Sequence, residues 1–514
     1  MGQEATKSIK PVPSSFTVFS LSFDTHSGRI GTLHAKKDVE KVCTAVFKQY
    51  WKHGLVNEHV KSPFPNVYKE YNLAKYSEQE FLGTEKGMLL FCRLLDGLSE
   101  IGWYLCSSAD VLVTVDEQAM VFTKGLKAKV KPEERVFCLR VNEDNELTVV
   151  GSVKSVQERI KEAIQENGKL EKETPHGPDA VLYTIEGSPW HPQNTQQRIC
   201  GINILVQSLQ KLANEGYRLA APGCIDGDQD ALFFNKDPRP NRDVKFAVLA
   251  LKTPGLVYLH EFGPDVAKVV KQFFENAKYW SQGLEGEKKE SDTVHEFELK
   301  GSPWSLGQNA KPRQKKAVRH LVLRLFETLA DAGWLLMAAT DLSQAPDDTS
   351  VFLFRKSKPT ARRFVALQPD EGNKLILYHM TNDERTLVEK TLCFTLGQGF
   401  IVDKDIDLDA GVCEFELKGA PWAPRQQGHV LIANHVIDVL IAALGTRDWM
   451  LACCADIQAE TKMESKISTA AISTDNDHHK QSKRRGKQAQ TAKIETELTS
   501  CDVSLIVMCK DQKN

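Results

Sequence analysis

Apolar and polar positions along this chain follow two alternating periods, one typical of strands and one typical of helices. Residues 295–301 (HEFELKG) alternate apolar and charged side chains, as a half-buried strand does. From Val318 to Leu329 the apolar residues recur at helical spacing and leave polar residues on the other face. Gly333 follows where a helix C-terminus needs a residue with a left-handed backbone. The pattern therefore predicts a strand and then a helix.

Four further strands and a second helix complete this pattern. The strand segments are WLLMAAT, TSVFLFRK, FVALQ and KLILYHM, in that order. Thr381 to Leu392 predicts the second helix, with Thr381 or Asn382 as its N-cap. One module is thus predicted to run strand, helix, four strands, helix.

The module recurs along the chain, and a Pro-Trp pair marks each recurrence. Trp190, Trp304 and Trp422 each follow a proline and a short alternating segment. A helical pattern comes next and ends at a second aromatic residue, which is Trp103, Tyr217, Trp334 or Trp449. A strand pattern then ends in a lysine, which is Lys124, Lys236, Lys356 or Lys510. The same elements in the same order predict about four tandem modules.

The predicted fold class is α+β, with a tandem repeat of about four β-α-β-β-β-β-α modules. Each module is expected to be an antiparallel sheet with helices on one face, because this arrangement buries the apolar face of both. The order of elements resembles the topology of the TATA-binding-protein-like fold, in which two such units lie in tandem. This resemblance implies a fold and carries no function.

Composition places the expected boundaries. Residues 1–80 are predicted to be an N-terminal extension with a strand and a helix, either separate from the first module or part of it, and the modules are 81–165, 178–282, 293–398 and 411–514. The segments 166–177, 283–292 and 399–410 are expected to be linkers or junctions because they are charged and contain glycine. The last module is expected to be truncated and interrupted by a disordered insertion, 461–493, whose composition is polar.

Charge and cysteine content narrow the function classes. Lys and Arg total 66 and Asp and Glu total 68, so the chain lacks the basic excess of a typical duplex nucleic-acid binder. No run of about 18 apolar residues predicts a membrane span, and the polar N-terminus does not resemble a secretory signal. The 12 cysteines mostly lie in apolar runs, which is typical of buried free thiols in a reducing compartment.

The recurring aromatic residues have two interpretations. Trp103, Trp190, Tyr217, Trp304, Trp334, Trp422 and Trp449 could line a ligand pocket in every module, or they could anchor the helices to the sheet. We favour structural anchors, because a packing role predicts that the residue repeats with the fold.

The recurring lysines also have two interpretations. Lys124, Lys236, Lys356 and Lys510 present a basic position that could bind phosphate or acidic partners. Alternatively they are solvated strand ends or exposed ion pairs, which add about 0–1 kcal/mol of stability.

No catalytic, metal or cofactor motif is recognisable. The histidines do not recur at one module position, and G-x-S-x-G, H-E-x-x-H and Walker-type motifs are missing. The sequence therefore predicts a protein without catalytic residues, metal ligands or cofactor.

Two segments suggest a cellular location. Met1 to Thr6 fits the M-G-x-x-x-[ST] pattern for myristoylation of Gly2. A single acyl chain binds membranes only weakly and reversibly. Lys483 to Lys487 is either a nuclear-import or phosphate-binding patch or a solubilising loop.

The first functional hypothesis is a non-catalytic, multi-module interaction scaffold that binds proteins. We expect it in the cytoplasm, at a membrane surface if Gly2 is modified, with the nucleus as the alternative. The second hypothesis is nucleic-acid binding on the concave sheet faces, which the near-neutral charge disfavours. The third is an enzyme with a site in one specialised module.

Overall fold

Four antiparallel sheets of six strands each make up the computed structural model of this protein. The structure describes residues 17–512 apart from 25–26, 57–66, 83–84, 110–118, 128–130, 132–134, 143–144, 178, 225–229, 238–243, 306–311, 341–347, 371, 398, 408–410, 423–426, 456 and 458–503. Each sheet joins strands that are consecutive in the chain, so the chain divides into units 1 to 4. The predicted α+β tandem repeat is confirmed.

Every unit runs strand, strand, helix, strand, strand, helix, strand, strand, and unit 1 adds a short helix. Unit 1 contains β1 (Val18–Asp24), β2 (Arg29–Leu33), α1 (Lys37–Tyr50), β3 (Leu55–Val56), β4 (Tyr68–Leu73), α2 (Glu78–Leu82), α3 (Glu85–Glu100), β5 (Trp103–Ala109) and β6 (Ala119–Lys124). Unit 2 contains β7 (Phe137–Val141), β8 (Glu146–Val150), α4 (Lys154–Asn167), β9 (Leu170–Pro175), β10 (Ala180–Ile185), α5 (Thr195–Asn214), β11 (Tyr217–Cys224) and β12 (Asp230–Lys236).

The second half of the chain repeats the same order. Unit 3 contains β13 (Phe246–Lys252), β14 (Leu256–His260), α6 (Pro264–Glu275), β15 (Leu284–Lys289), β16 (Val294–Leu299), α7 (Pro312–Asp331), β17 (Trp334–Thr340) and β18 (Asp348–Lys356). Unit 4 contains β19 (Arg362–Asp370), β20 (Lys374–Tyr378), α8 (Asn382–Leu396), β21 (Ile401–Asp407), β22 (Val412–Leu417), α9 (Gln427–Gly445), β23 (Met450–Ala455) and β24 (Leu505–Asp511). In all four sheets the strands lie in the order third, fourth, second, first, sixth, fifth.

Helix starts follow the local sequence. Thr381 is the N-cap of α8: its hydroxyl accepts from the backbone N–H of Glu384, whose carboxylate accepts from the N–H of Thr381. This reciprocal pair satisfies two backbone donors that have no partner inside the helix. Asn194 caps α5 through its side chain, and Pro264 begins α6, where a missing N–H costs nothing.

The frame of the repeat differs from the one that the sequence predicts. The expected linkers 166–177, 283–292 and 399–410 contain the strands β9, β15 and β21. Each is the outermost strand of its sheet and mostly exposed, so its sequence lacks the apolar alternation that reveals a buried strand. The predicted linkers are therefore edge strands, which is a correction to the sequence interpretation.

With these edge strands included, each unit begins at the hairpin that precedes its first helix. The hairpin β19–β20 and helix α8, which the sequence places in the module 293–398, form part of the sheet of unit 4. The expected extension 1–80 supplies β1 to β4 of unit 1. As a result, the unit that was expected to be truncated has six strands. The expected disordered insertion 461–493 lies outside the described residues.

The first hairpin of each unit is covered on both faces. In β13, Leu249 and Leu251 pack against the helices of unit 3, whereas Val248 and Ala250 pack into the core of unit 2. All four are at most 6% exposed. Side chains on a strand point alternately to opposite faces, so one strand contributes to two cores. The helices of a unit thus lie between their own sheet and the sheet of the next unit.

The same layering joins unit 4 back to unit 1 and closes a ring. The second helix of each unit contacts the first hairpin of the next: α3 on β7 and β8, α5 on β13, α7 on β19, and α9 on β1 and β2. At the 4–1 seam, the buried hydroxyl of Ser20 donates to Asp438 Oδ2 at 2.8 Å, and the N–H of Cys454 donates to Ser107 Oγ at 3.1 Å. These bonds connect residues more than 300 positions apart in the chain.

Two seams carry a histidine pair at corresponding places. His34 Nε2 lies 2.7 Å from His435 Nδ1 at the 4–1 seam, and His379 Nε2 lies 2.5 Å from His320 Nδ1 at the 3–4 seam. His34 and His379 each follow the second strand of their unit with φ of 62° and 59°. This left-handed conformation is uncommon for residues other than glycine, although asparagine, aspartate and histidine adopt it more often than the rest.

Burial keeps these histidines neutral. It lowers the pKa of His34 and His379 to about 2, helped by the neighbouring histidine in each pair, and it lowers the pKa of His435 and His320 to about 4. A histidine whose pKa is depressed by folding stabilises the protein above its unfolded pKa, and that stability is lost as the pH falls below about 6.5. Burial of Asp438 has the opposite effect on the pH dependence of stability. It raises the pKa of this carboxyl to about 8, so stability is lost as the pH rises.

We expect His34→Asn to weaken the acid sensitivity of the fold. Asparagine tolerates the left-handed backbone at this position but does not titrate. Between pH 7.5 and pH 5.5, a histidine that titrates in the unfolded chain but stays neutral in the folded protein lowers the free energy of unfolding by about 1.4 kcal/mol. The free energy of unfolding should therefore fall by about that much less in the variant. Denaturant unfolding of both proteins at the two pH values measures this difference.

Asp438 is present in both proteins, so its contribution to the pH dependence cancels. His176→Asn, away from both seams, serves as the control. Equal pH dependence in His34→Asn and the parent would contradict the assignment.

Candidate functional site

The four recurring lysines close the ends of the second helices. Their Nζ atoms donate to the backbone carbonyls of Ile101, Glu215, Ala332 and Arg447 at 2.6, 2.9, 3.2 and 2.7 Å. Each carbonyl lies two residues before the second aromatic of its unit. A lysine here satisfies a carbonyl that the helix leaves unpaired and is favoured by the helix dipole. The structure therefore gives these lysines a local bonding role at the end of a strand.

Each second aromatic lies below a cation, which is the recurring lysine in units 1, 2 and 3. Lys124, Lys236 and Lys356 are 4.8, 4.3 and 4.8 Å from the ring centroids of Trp103, Tyr217 and Trp334. In unit 4 the cation over Trp449 is the guanidinium of Arg363, at 5.3 Å. These distances are within cation–π range. The four rings are at most 6% exposed, so they are covered by protein.

The Pro-Trp tryptophans hold the turn of the first hairpin. The N–H of Trp304 donates to Pro254 O at 3.1 Å, and the N–H of Trp422 donates to Gly372 O at 3.0 Å. Pro254 and Gly372 lie in the turns that connect β13 to β14 and β19 to β20. Trp190, Trp304 and Trp422 are at most 5% exposed. The similar surroundings of Trp304 and Trp422 are what a packing role requires.

Sequence analysis missed a further pair of tryptophans. Trp51 follows α1 and Trp280 follows α6, and both are buried. Their indole N–H groups donate to Ala74 O at 2.8 Å and to Lys300 O at 3.0 Å, each the first residue after the fourth strand of its unit. Trp51 is the first residue after α1 and Trp280 is the fifth residue after α6, so the two do not recur at one spacing along the chain. An alignment of the units by their sheets reveals the correspondence.

An open cleft of about 670 Å³ lies between units 2 and 3, and we call it the 2–3 cleft. Its walls come from α5, β11 and β12 of unit 2 and from β13, β17 and β18 of unit 3, and Arg362 at the start of β19 also lines it. The apolar lining includes Leu209, Leu219, Phe234, Phe246, Leu335 and Met337. The volume falls within the usual range of small-molecule sites, about 300–1,000 Å³.

Basic side chains dominate the charge of the 2–3 cleft. They are Arg218, Arg355, Lys356, Lys358 and Arg362, and Asp237 is the acidic residue among the lining residues. Lys356 donates to the Ala332 carbonyl, and Arg362 forms an ion pair with Asp511 at 2.6 Å. Arg218 donates to the neutral amide oxygen of Asn235 at 3.1 Å. The cleft thus has a positive lining that is only partly neutralised.

Among the basic residues that line the cleft, Arg355 and Lys358 have the positive charges that neighbouring described groups neutralise least. Both are exposed, and neither side chain has a hydrogen bond or ion pair to any residue that the structure describes. A guanidinium and an ammonium together can bind an anion through charge-assisted hydrogen bonds. The 2–3 cleft is therefore the candidate functional site.

The position of Arg355 is specific to unit 3. Arg355 on the sixth strand of unit 3 lies opposite Leu335 on the fifth strand. The corresponding pairs are Thr123 with Tyr104 in unit 1, Asn235 with Arg218 in unit 2, and Cys509 with Met450 in unit 4. The edge strands β11 and β17 also contact each other less closely than the other neighbouring edge strands of the ring. An open, charged seam is thus found where units 2 and 3 meet.

Among the described residues, no thiol or imidazole lines the 2–3 cleft. Seven of the ten free cysteines that the structure describes are buried, and burial raises the pKa of Cys92 and Cys453. Within the described part of the chain, no group of three or more His, Cys, Asp or Glu residues could hold a metal ion. Gly2 and the basic segment Lys483 to Lys487 lie outside the described residues. No helix among the described residues is long and apolar enough to cross a membrane.

Comparison with known proteins identifies the repeated unit. No curated protein and no solved structure matches this chain, so the resemblance to the TATA-binding-protein-like fold stays a prediction. One family model, which describes a domain, matches three times in tandem, over residues 135–235, 245–355 and 363–473. These ranges begin within two residues of β7, β13 and β19 and so correspond to units 2, 3 and 4. Since they cover more than half of the chain, the protein belongs to the family defined by this repeated domain.

Proposed function

We propose that this protein is a non-catalytic interaction protein whose ring of four units binds protein partners at the outer edges of its sheets. The observation that carries the proposal is the outer edge of unit 4. Val402 and Ile406 on β21 are 62% and 42% exposed, and Phe394 on the adjacent helix α8 is 57% exposed. Exposed apolar side chains beside an open sheet edge are typical of a protein-binding surface.

The outer edge of unit 4 differs from those of units 2 and 3. Strand β9 reads LEKETP and strand β15 reads LEGEKK, and charged residues fill most of their exposed positions. Charged edge strands discourage pairing with another chain. Strand β21 reads IVDKDID and keeps two exposed apolar residues. The edge of unit 4 is thus the better site for an added strand.

The side chains of β21 indicate the partner's chemistry. Lys404 is held toward α8 by an ion pair with Glu389 at 2.7 Å, while Asp403 and Asp405 are exposed. A strand added to this edge would gain backbone hydrogen bonds, with side-chain pockets giving specificity. We therefore expect an extended peptide in which apolar residues alternate with lysine or arginine.

The ring gives these edges a fixed relative geometry. Neighbouring units share helix layers, so their outer edges are held by packed cores. Binding at more than one site raises the overall affinity only when the geometry allows simultaneous contact. A rigid ring of related units supports a scaffold that holds partners at set distances.

Nucleic-acid binding on the sheet faces has less support. The hypothesis needs exposed sheet faces with basic and aromatic residues. In the described hairpins the first strands are buried on both faces, for example Phe19 and Val18 of β1, which belong to the cores of units 1 and 4. The surface that this hypothesis requires is therefore covered by helices there.

We also propose reversible membrane association through a myristoyl group on Gly2, on the basis of the N-terminal sequence motif. One acyl chain gives an association constant of about 10⁴ M⁻¹, so binding would be transient. Such an anchor would bring the ring to a membrane surface without inserting any of its helices.

We expect the double variant Val402→Lys and Ile406→Lys to lose peptide binding. Peptides selected from a random library on the full-length protein should carry alternating apolar and basic residues, and the variant should bind them at least about tenfold more weakly, because two apolar contacts are removed. Fluorescence anisotropy with the selected peptides measures the affinity. Val269→Lys, an exposed residue on α6 of unit 3, is the matched control. Unchanged affinity in the double variant would show that the edge of unit 4 is not the binding site.

Coexpression with an N-myristoyltransferase should add the mass of one myristoyl group to the full-length protein, and Gly2→Ala should abolish this addition. Intact-mass spectrometry measures the modification. The modified protein should sediment weakly with lipid vesicles, because a single chain supplies marginal affinity. An unmodified Gly2 under these conditions argues against membrane association by this route.

A further inference from the structure

We propose that the 2–3 cleft binds a small organic phosphate that carries two or more negative charges. This site is separate from the proposed partner surface, because the cleft lies between units 2 and 3 and the partner surface is the outer edge of unit 4. The two proposals can therefore fail independently.

The charge of the cleft points to an anion. Arg355 and Lys358 are exposed and have no hydrogen bond or ion pair to a described residue, and Arg218 donates to the neutral amide of Asn235. Among the described residues, no carboxylate forms an ion pair with these three side chains, so they concentrate positive potential in a concave site. Such a site attracts anions more strongly than the same charges on a convex surface would.

The side-chain types favour phosphate. Arg218 belongs to unit 2 and Arg355 to unit 3, so a ligand between the walls can be approached by guanidinium groups from both. A guanidinium presents two parallel N–H donors that match adjacent phosphate oxygens, and a lysine adds a mobile point charge. A phosphate ester has enough oxygens for all three cations, whereas a single carboxylate has two.

The size and lining of the cleft favour a small ligand. About 670 Å³ suits a small molecule, and apolar residues such as Leu335 and Met337 can contact its organic part. A duplex nucleic acid would need an extended basic stripe, yet the whole chain has a formal net charge of −2. A compact soluble phosphate fits these observations better than a polymer.

Comparison of the four units supports a dedicated site. The positions that correspond to Arg355 carry Thr123, Asn235 and Cys509, which are uncharged at neutral pH or only weakly acidic. A stability role at every seam would predict a similar residue in every unit. Instead, the arginine is found in unit 3, one of the two units that border the open cleft.

Isothermal titration calorimetry of the full-length protein tests the proposal. The probes are inorganic pyrophosphate, adenosine monophosphate and inositol hexakisphosphate, each at low and high salt. We expect at least one organic phosphate to bind more tightly than pyrophosphate, and we expect its affinity to fall with added salt. Arg355→Glu with Lys358→Glu should weaken that binding about 100-fold, since each charge-assisted contact is worth about a factor of ten or more.

The matched control is Lys390→Glu with Lys418→Glu, which makes the same change of net charge on exposed residues of unit 4. It should retain the parent affinity within about twofold if binding is local to the cleft, since distant exposed charges are screened. Thermal unfolding shows whether each variant is folded. The proposal is wrong if none of the three probes binds the parent at millimolar concentration. It is also wrong if the cleft variant binds as the parent does, or if the control loses as much affinity as the cleft variant.

Discussion

Burial of both faces of the first hairpin in each unit is the interaction on which the rest of this structure depends. A six-stranded antiparallel sheet with helices on one face could leave its other face to solvent. Here the second helix of the preceding unit covers that face, as shown by Leu249 and Val248 of β13, which pack into two different cores. A unit separated from its neighbours would expose the apolar side of its hairpin. The four units are therefore layers of one ring.

Ring closure adds a requirement that a linear array of repeats does not have. In a linear array the first and last repeats need polar outer faces. In this chain α9 covers β1, and buried polar pairs such as Ser20 with Asp438 and His34 with His435 join the two ends. Buried polar groups need partners, so these pairs specify which surfaces meet at the 4–1 seam. The apolar layers stabilise the contact between units 4 and 1, and the polar pairs fix how the two surfaces align.

The candidate sites lie where the repeated pattern is broken. Recurring features, such as Lys124 with Trp103, serve the same local bonding in several units. By contrast, Arg355 at the 2–3 cleft has no basic counterpart in the other units, and the exposed Val402 and Ile406 distinguish the outer edge of unit 4 from those of units 2 and 3. Structural requirements are common to all units, so features confined to one unit are better evidence for binding.

The sequence by itself determined the repeat, the α+β class and the recurring aromatic positions such as Trp304 and Trp422, because hydrophobic periodicity and recurrence depend only on local order along the chain. It did not determine the frame of the units: β9, β15 and β21 are exposed edge strands, and an exposed strand has no apolar alternation to reveal it. The roles of Lys356 and Arg355 were decided by the tertiary structure alone. Both line the 2–3 cleft, but Lys356 also donates to the carbonyl of Ala332 at a helix end, whereas the side chain of Arg355 has no hydrogen bond or ion pair to a described residue. Contacts between distant segments set these surroundings, and local sequence carries little information about them.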